Sequence, residues 1–437
     1  MDPRNMIAHS GLGRLYFHLG QNEKAAKAFK AALAIDPAHL DTIGNYALLL
    51  LRTGNYEDAL KIAGELAIAP KANAIQRRAG VLVQAGSLRR LGRVEEALDA
   101  LERLAEALAK EELDWAFHKE RGLALEALGQ FSEAFRAFVE GNQLFQKAID
   151  RNVPAERETS NDLASALESD FAGMSISKQA SGEAPVFIVG FRQSGHQVLT
   201  ALCQRVPELA LVETSGVFPA LRLQLEKGRE DFPAVLAALE PKELEEMRVL
   251  YRSALKILGA EPGKILVHAS PANLYELPLI LKMFPGARFI YVLAHPLDTC
   301  LHCFFTEFLI GRATRVFSDL NTTAAYFADT VRLWEKFKTE MTFSRLEVRA
   351  EDVFDHTEAE IDRVLDFIRQ GSEYPLSTRA RDIDGLNEIA FDQKTLAPPG
   401  RWRNFREAVA PLVHTLAPVC RRLGYPAPQD DPESAKS

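Results

Sequence analysis

The residues with the most evident chemical potential lie in a short run near the middle of the chain. Gly190-Phe191-Arg192-Gln193-Ser194-Gly195 follows the apolar stretch Pro185-Val-Phe-Ile-Val and precedes a helical pattern through Val198, Leu199, Leu202 and Val206. A strand, a Gly/Ser loop and a helix in that order aim backbone N–H groups and a helix N-terminus at a bound anion. The loop lacks the lysine of GxxxxGK[ST], which disfavours an ordinary nucleoside triphosphatase. Cys300-Leu-His302-Cys303 has a spacing that could chelate a metal, but no second CxxC and no HExxH run accompanies it, and no metal is expected. Ser194 lacks the Gly-x-Ser-x-Gly elbow of a hydrolase nucleophile. Glu351 and Asp352 are adjacent carboxylates at a strand end, a position that reads as structural. Basic runs interleaved with aromatics are missing, so nucleic acid is not an expected partner.

The chain that must position these groups has 437 residues, 47% hydrophobic and 26% charged, enough for two or three domains with substantial cores. Its net charge of -8 favours neither nucleic acid nor an acidic membrane. Four cysteines, Cys203, Cys300, Cys303 and Cys420, form no disulfide framework and fit a reducing compartment. The opening MDPRNMIAHS lacks a basic-then-apolar leader pattern, and no apolar run reaches about 18 residues. The expectation is a soluble, cytoplasmic protein without a membrane span.

Helix-period patterning fills residues 1–145. Gly20, Gly54, Gly92 and Gly129, spaced 34, 38 and 37 residues apart, are each followed five residues later by alanine: Ala25, Ala59, Ala97 and Ala134. Glycine there closes one helix in a left-handed conformation, and the alanine lets the next helix pack closely against it. Leu12-Gly13, Tyr16, Phe29, Ala32 and Asp36-Pro37 occupy the remaining positions of a 34-residue unit. These residues resemble a tetratricopeptide repeat, an architecture that implies a groove for a protein or peptide partner. Residues 146–183 read as a helical linker, with a short helix over Asp162–Leu167, and residues 428–437 as a disordered tail.

Residues 184–427 read as a strand–helix alternation with a mostly parallel sheet. Pro185–Gly190, Lys264–Val267, Arg288–Leu293 and Arg345–Arg349 are the expected strands, with ligands at their carboxyl ends. Five segments of this region, in order, resemble the sulfotransferases that use 3′-phosphoadenosine 5′-phosphosulfate, particularly the tetratricopeptide-repeat and tyrosylprotein branches. They are Phe187-Ile-Val-Gly190 with Ser194-Gly195, Ser270-Pro-Ala-Asn273, Pro296-Leu-Asp-Thr-Cys-Leu301, Arg349-Ala-Glu-Asp352 and Gly400-Arg-Trp-Arg-Asn-Phe405. The resemblance implies a P-loop-like α/β domain that takes that nucleotide as co-substrate. It also implies a donor site built from Gly190, Phe191, Arg192, Gln193, Ser194, Gly195, His196, Gln197, His295, His302, Arg401, Trp402 and Arg403. Glu213 matches the acid that serves the tyrosylprotein branch as general base toward the acceptor hydroxyl.

The departures from the family pattern fall where anion contacts are expected. An arginine and two hydroxyls of the first loop become Gln193, His196 and Gln197, a lysine becomes Ala269, and an arginine and a serine become Ala294 and His302. His268 and His295 stand for two aspartates, and an Arg-Lys-Gly run is replaced at Thr395-Leu-Ala397. A charge-assisted hydrogen bond contributes about 1.5–3 kcal/mol, so three or four losses remove on the order of 5–10 kcal/mol of donor binding. Two functions therefore stand side by side. One is sulfonate transfer to a hydroxyl of an acceptor recruited by the repeats; the other is a catalytically inactive sulfotransferase fold acting as a repeat-based scaffold.

Overall fold

A computed structural model describes residues 5–152, 167–169, 171, 174, 184–214, 216–225, 232–308, 310–386 and 399–426. Most of the expected linker helix at 162–167, the substituted run at 395–397 and the tail at 428–437 lie outside the described residues. The chain divides into two compact units, one of Met1–Pro154 with Phe304–Ser318, the other of Ala155–Cys303 with Asp319–Ser437.

The first unit is a row of helix hairpins: α1 (Met6–His18) with α2 (Asn22–Ile35), α3 (Leu40–Arg52) with α4 (Tyr56–Ala67), α5 (Ala74–Arg90) with α6 (Val94–Ala107), and α7 (Trp115–Ala127) with α8 (Phe131–Asn152). The four turn glycines take φ of +72°, +85°, +77° and +75°, the left-handed backbone that ends each first helix. Ala25, Ala59, Ala97 and Ala134 are fully buried, as close helix packing requires. α8 continues to Asn152, past the expected end of the repeats at residue 145.

Residues 304–318 belong to this unit although their sequence neighbours do not. The buried Lys119 ammonium donates to the Phe304 and Thr306 carbonyl oxygens at 2.8 and 2.7 Å, and Asn142 Nδ2 donates to Phe304 O at 2.8 Å. The Phe305 ring stacks on Phe138 with centroids 3.9 Å apart, and Arg315 pairs with Asp150 at 2.8 Å. Main-chain carbonyls thus neutralise none of the lysine charge but supply the acceptors that burial of an ammonium demands.

The second unit is built on five parallel strands in the order β2-β3-β1-β4-β5: β1 (Val186–Gly190), β2 (Leu209–Glu213), β3 (Ile265–Ala269), β4 (Arg288–Leu293) and β5 (Ser344–Arg349). Successive side chains of a strand point to opposite faces, and both faces here are apolar. Phe187, Val189, Phe289 and Tyr291 pack with Tyr251 and Trp334 on one face. Val186, Ile188, Ile290 and Val292 pack with Val198, Leu199 and Ile361 on the other. Burial on both faces explains why β1 and β4 are continuous apolar runs. β2, at the sheet edge, was not among the expected strands; it pairs with β3 from Leu209–Ile265 to Glu213–Ala269.

Candidate functional site

The carboxyl ends of β1, β3 and β4 lie together because the strands are parallel and in register, Ile188 opposite both Ala269 and Ile290. At Gly190 (φ +153°) the chain leaves β1 so close to β4 that a Cβ would collide with the Val292 carbonyl oxygen. No side chain fits, which fixes glycine there. Gln193 and Gly195 also take positive φ, 61° and 92°, and the helix His196–Cys203 begins immediately after. The Ser194 hydroxyl lies 2.7 Å from Phe191 O and 2.9 Å from Val292 O, and its single proton serves one of them at a time. Ser194 therefore closes the loop on itself and onto β4.

The loop's other polar groups differ from Ser194. His196 Nδ1 and Gln197 Oε1 are buried without a partner among the described residues, while Gln197 Nε2 donates to Gln193 Oε1 at 3.0 Å. Burial, with the nearby Arg192 guanidinium adding to it, pushes the His196 pKa down to about 4. His302 is pushed down to about 3 by burial, then by Arg401 and His196. Arg192, His196, His302 and Arg401 are thus close enough to feel one another's charge, and both imidazoles are neutral at pH 7.

Glu213 ends β2 with its side chain exposed, and its carboxyl pKa is raised by desolvation, partly offset by a hydrogen bond from Thr200. Thr200 lies on the helix that follows the loop, and its hydroxyl is 2.9 Å from Gln197 O, so its single proton serves that carbonyl or Glu213 at any one time. Ala269, the last residue of β3, is buried.

The late segment Gly400–Phe405 is docked by a residue that the sequence offered only as part of a motif. Asp298 Oδ2 and Oδ1 accept the N–H groups of Gly400 and Trp402, both at 2.7 Å. Burial raises the Asp298 pKa to about 7 against the lowering effect of those two bonds. The His295 ring stacks on Trp402 at 5.5 Å and meets Tyr425 edge-on at 5.3 Å. Glu351 accepts from His295 N at 2.7 Å and from the Tyr425 hydroxyl at 2.8 Å, which accounts for that carboxylate structurally. Arg403 lies over the Trp402 ring at 5.3 Å.

The four histidines of this region do not form one cluster. His268 packs in the aromatic core against Phe187 and Phe218. Its Nε2 lies 2.9 Å from Thr214 O and its Nδ1 3.1 Å from Tyr251 OH, so Nε2 carries the proton and Nδ1 accepts. His295 is an aromatic spacer; only His196 and His302 stand together beside the loop. Among the described residues no group of three or more His, Cys, Asp or Glu side chains could hold a metal.

Between the loop and the end of β4 lies a shallow, open cleft with an interior of about 10 Å³, room for about one water, lined among others by Gln193, Ala294, Asp298, Thr299, His302 and Glu351. Thr299 is 1% exposed, and its Oγ1 has no partner among the described residues. Neither lysine nor arginine is among the cleft's described lining residues.

A family model described as "Sulfotransferase family" matches residues 185–371, and two tetratricopeptide repeat models match residues 20–76 and 52–155. An uncharacterised protein of Aquifex aeolicus (strain VF5) is 21% identical over 440 residues, covering 94% of this chain and 54% of that protein. The chain spans about half the length of this curated relative. Among solved structures, sulfotransferase STF9 from Mycobacterium avium is similar at 12% identity and a TM-score of 0.33, covering 70% of this chain and 91% of that one. The sulfotransferase domain of the Synechococcus PCC 7002 olefin synthase is similar at 12% identity and 0.31, covering 55% and 97%. MamA AMB-1 is similar at 22% identity and 0.27, covering 33% and 80%.

Proposed function

For a chain that joins tetratricopeptide repeats to a sulfotransferase-family domain, we propose sulfonate transfer from a nucleotide 5′-phosphosulfate to a hydroxyl of a protein or peptide acceptor. The family's donor is 3′-phosphoadenosine 5′-phosphosulfate, and tetratricopeptide repeats generally engage proteins, which supports an acceptor held by the repeat groove. The observation that carries the reading is the turn from β1 at Gly190 through Gly195 into the helix His196–Cys203, with Glu213 at the end of β2 near Thr200 of that helix. Main-chain N–H groups of such a turn, with the Arg192 guanidinium, suit one anionic end of a nucleotide. His196 Nδ1 and Gln197 Oε1, without a partner among the described residues, leave hydrogen-bonding capacity there.

In this reading Glu213 takes the proton of the acceptor hydroxyl as its oxygen bonds to sulfur and the bond from sulfur to the nucleotide oxygen breaks. Charge on that departing oxygen is met by the loop N–H groups and Arg192, since Ala269 offers no cation. The test is a sulfonate-transfer assay on the full chain beside calorimetric titration of the nucleotide. Glu213→Gln should lower turnover by about 10²-fold or more while leaving nucleotide affinity in place. Absence of nucleotide binding and of thermal stabilisation at millimolar ligand would eliminate the transferase.

A second reading, an inactive sulfotransferase fold whose repeats scaffold partners, is favoured by Ala269 and by the Ser194 hydroxyl being spent on main-chain carbonyls. It predicts partner capture that depends on residues 1–145 and no turnover with any nucleotide.

A further inference from the structure

We infer that Asp298 is a positioning residue of the anion site: by holding the main chain on both sides of Arg401 it sets that guanidinium beside the β1 loop, and Arg401, rather than Arg403, joins Arg192 as the site's cation. The inference rests on the β1 loop as the seat of a nucleotide's anion and concerns the side chains that complete that seat.

Gly400-Arg-Trp-Arg-Asn-Phe405 carries two guanidinium groups two residues apart, and their surroundings differ. The two oxygens of the Asp298 carboxylate divide between the Gly400 and Trp402 N–H groups, both at 2.7 Å, so they grip the chain immediately before and after Arg401. One carboxylate bridging two N–H groups limits the rotation of the chain between them, and with it the direction in which the Arg401 side chain leaves. Asp298 stands on the helix Pro296–Phe305 one turn before His302, and both share a cleft wall with Gln193 of the loop. The Arg401 charge reaches the Asp298 carboxyl and the His302 ring, and the Arg192 charge reaches His196. Two guanidinium groups therefore flank two neutral imidazoles at the loop, an arrangement that suits a multiply charged anion.

Arg403 is engaged differently. Its guanidinium lies over the Trp402 ring at 5.3 Å, and so close to Gly400 that a Cβ there would collide with it. Gly400 takes a left-handed φ of +80°, and the Arg403 N–H donates to the Gly400 carbonyl oxygen at 3.0 Å. Arg403 thus folds back and packs on its own turn, while Arg401 is held toward the loop.

The test is calorimetry of the full chain with adenosine 3′,5′-bisphosphate, at one pH and salt concentration. Arg401→Gln should weaken binding about tenfold or more, the loss of one charge-assisted bond, and Arg403→Gln less than about threefold. Asp298→Asn keeps the side-chain shape but offers one acceptor oxygen for two N–H groups, so it should weaken binding severalfold. In the Arg401→Gln background it should cost nothing further, because Asp298 acts through that side chain. Thermal melts establish that each variant is folded. The Gly400 and Trp402 amides of the unliganded parent should also resist hydrogen exchange, a readout that needs no variant. A loss in Arg403→Gln equal to or greater than that in Arg401→Gln overturns the inference and leaves the nucleotide reading standing. So does an Asp298→Asn cost that adds in full to that of Arg401→Gln, or free exchange at the two amides. A parent chain that does not bind the bisphosphate at millimolar concentration overturns both.

Discussion

Glu213 and His268 both depart from their ordinary titration ranges, and each departure has a measurable consequence. The Glu213 carboxyl is raised above its ordinary value of 4.5 by desolvation. A base must be deprotonated to work, so transfer should fail on acidification through a limb lying above 4.5. A kcat/KM profile with its acid limb at or below that value would remove Glu213 from the role. His268 is held to about 4 in the folded chain against 6.5 when exposed. The unfolded chain therefore binds a proton that the folded chain refuses between those values, and stability falls as pH drops through that window. Between pH 7 and pH 5 this residue should cost about 2 kcal/mol, seen as a lower urea midpoint. His268→Phe should shrink that pH dependence; an undiminished dependence would assign it elsewhere. Glu213 was legible as a candidate base, but the burial of His268 was not, because in the sequence it was one of four histidines standing in place of family residues. Its neutrality comes from burial, which outweighs the opposing pull of the Thr214 carbonyl, and the aromatic residues that bury it come from distant positions.

At the scale of elements, spacing that repeats along the chain was readable and pairing across the chain was not. The hairpins of the repeats followed from glycine and alanine at fixed offsets, because local backbone sterics act without tertiary help. β1 and β4 announced themselves as apolar runs buried on both faces, whereas β2 is a five-residue edge strand whose ending, Val212-Glu213, reads equally as a loop. The acidic wall of the cleft was hidden for the same reason. Asp298 and Glu351 follow β4 and β5, and only the pairing of Leu293 with Arg349 brings them together. Helix contacts in the repeats give a paired test. A Cβ on Gly80 would lie 2.8 Å from Ala67 N and 3.0 Å from Ala63 O, backbone atoms of the neighbouring α4 that must move away. Gly64 has nothing within 4 Å of the same position. Gly80→Ala should destabilise the repeats by about 1–3 kcal/mol, and Gly64→Ala should stabilise them by about 0.5–1 kcal/mol. Thermal melts that move both variants in the same direction would contradict the packing.

For the whole molecule, the division into units is not a division of the sequence into two consecutive pieces. Residues 304–318 lie within the stretch expected to form one continuous α/β domain, yet they group with the repeats. Lys119 is the polar centre of that attachment. Lys119→Met removes two charge-assisted bonds of about 1.5–3 kcal/mol each, partly compensated by easier burial of the methionine. Hydrogen exchange of residues 304–308 should accelerate while that of α2 and α3 does not. Uniform acceleration across the unit, or none, would deny Lys119 this local part.

Because the first unit takes in chain from both sides of the Pro154–Ala155 junction, a single cut there does not liberate it. The carboxyl-terminal fragment would keep residues 304–318, clasped by α7 through the Lys119 ammonium and by α8 through the Phe138–Phe305 stack and the Arg315–Asp150 pair. A protease site engineered at that junction should therefore yield two bands on a denaturing gel but one peak in native gel filtration, and expressing either half alone would leave that clasp empty.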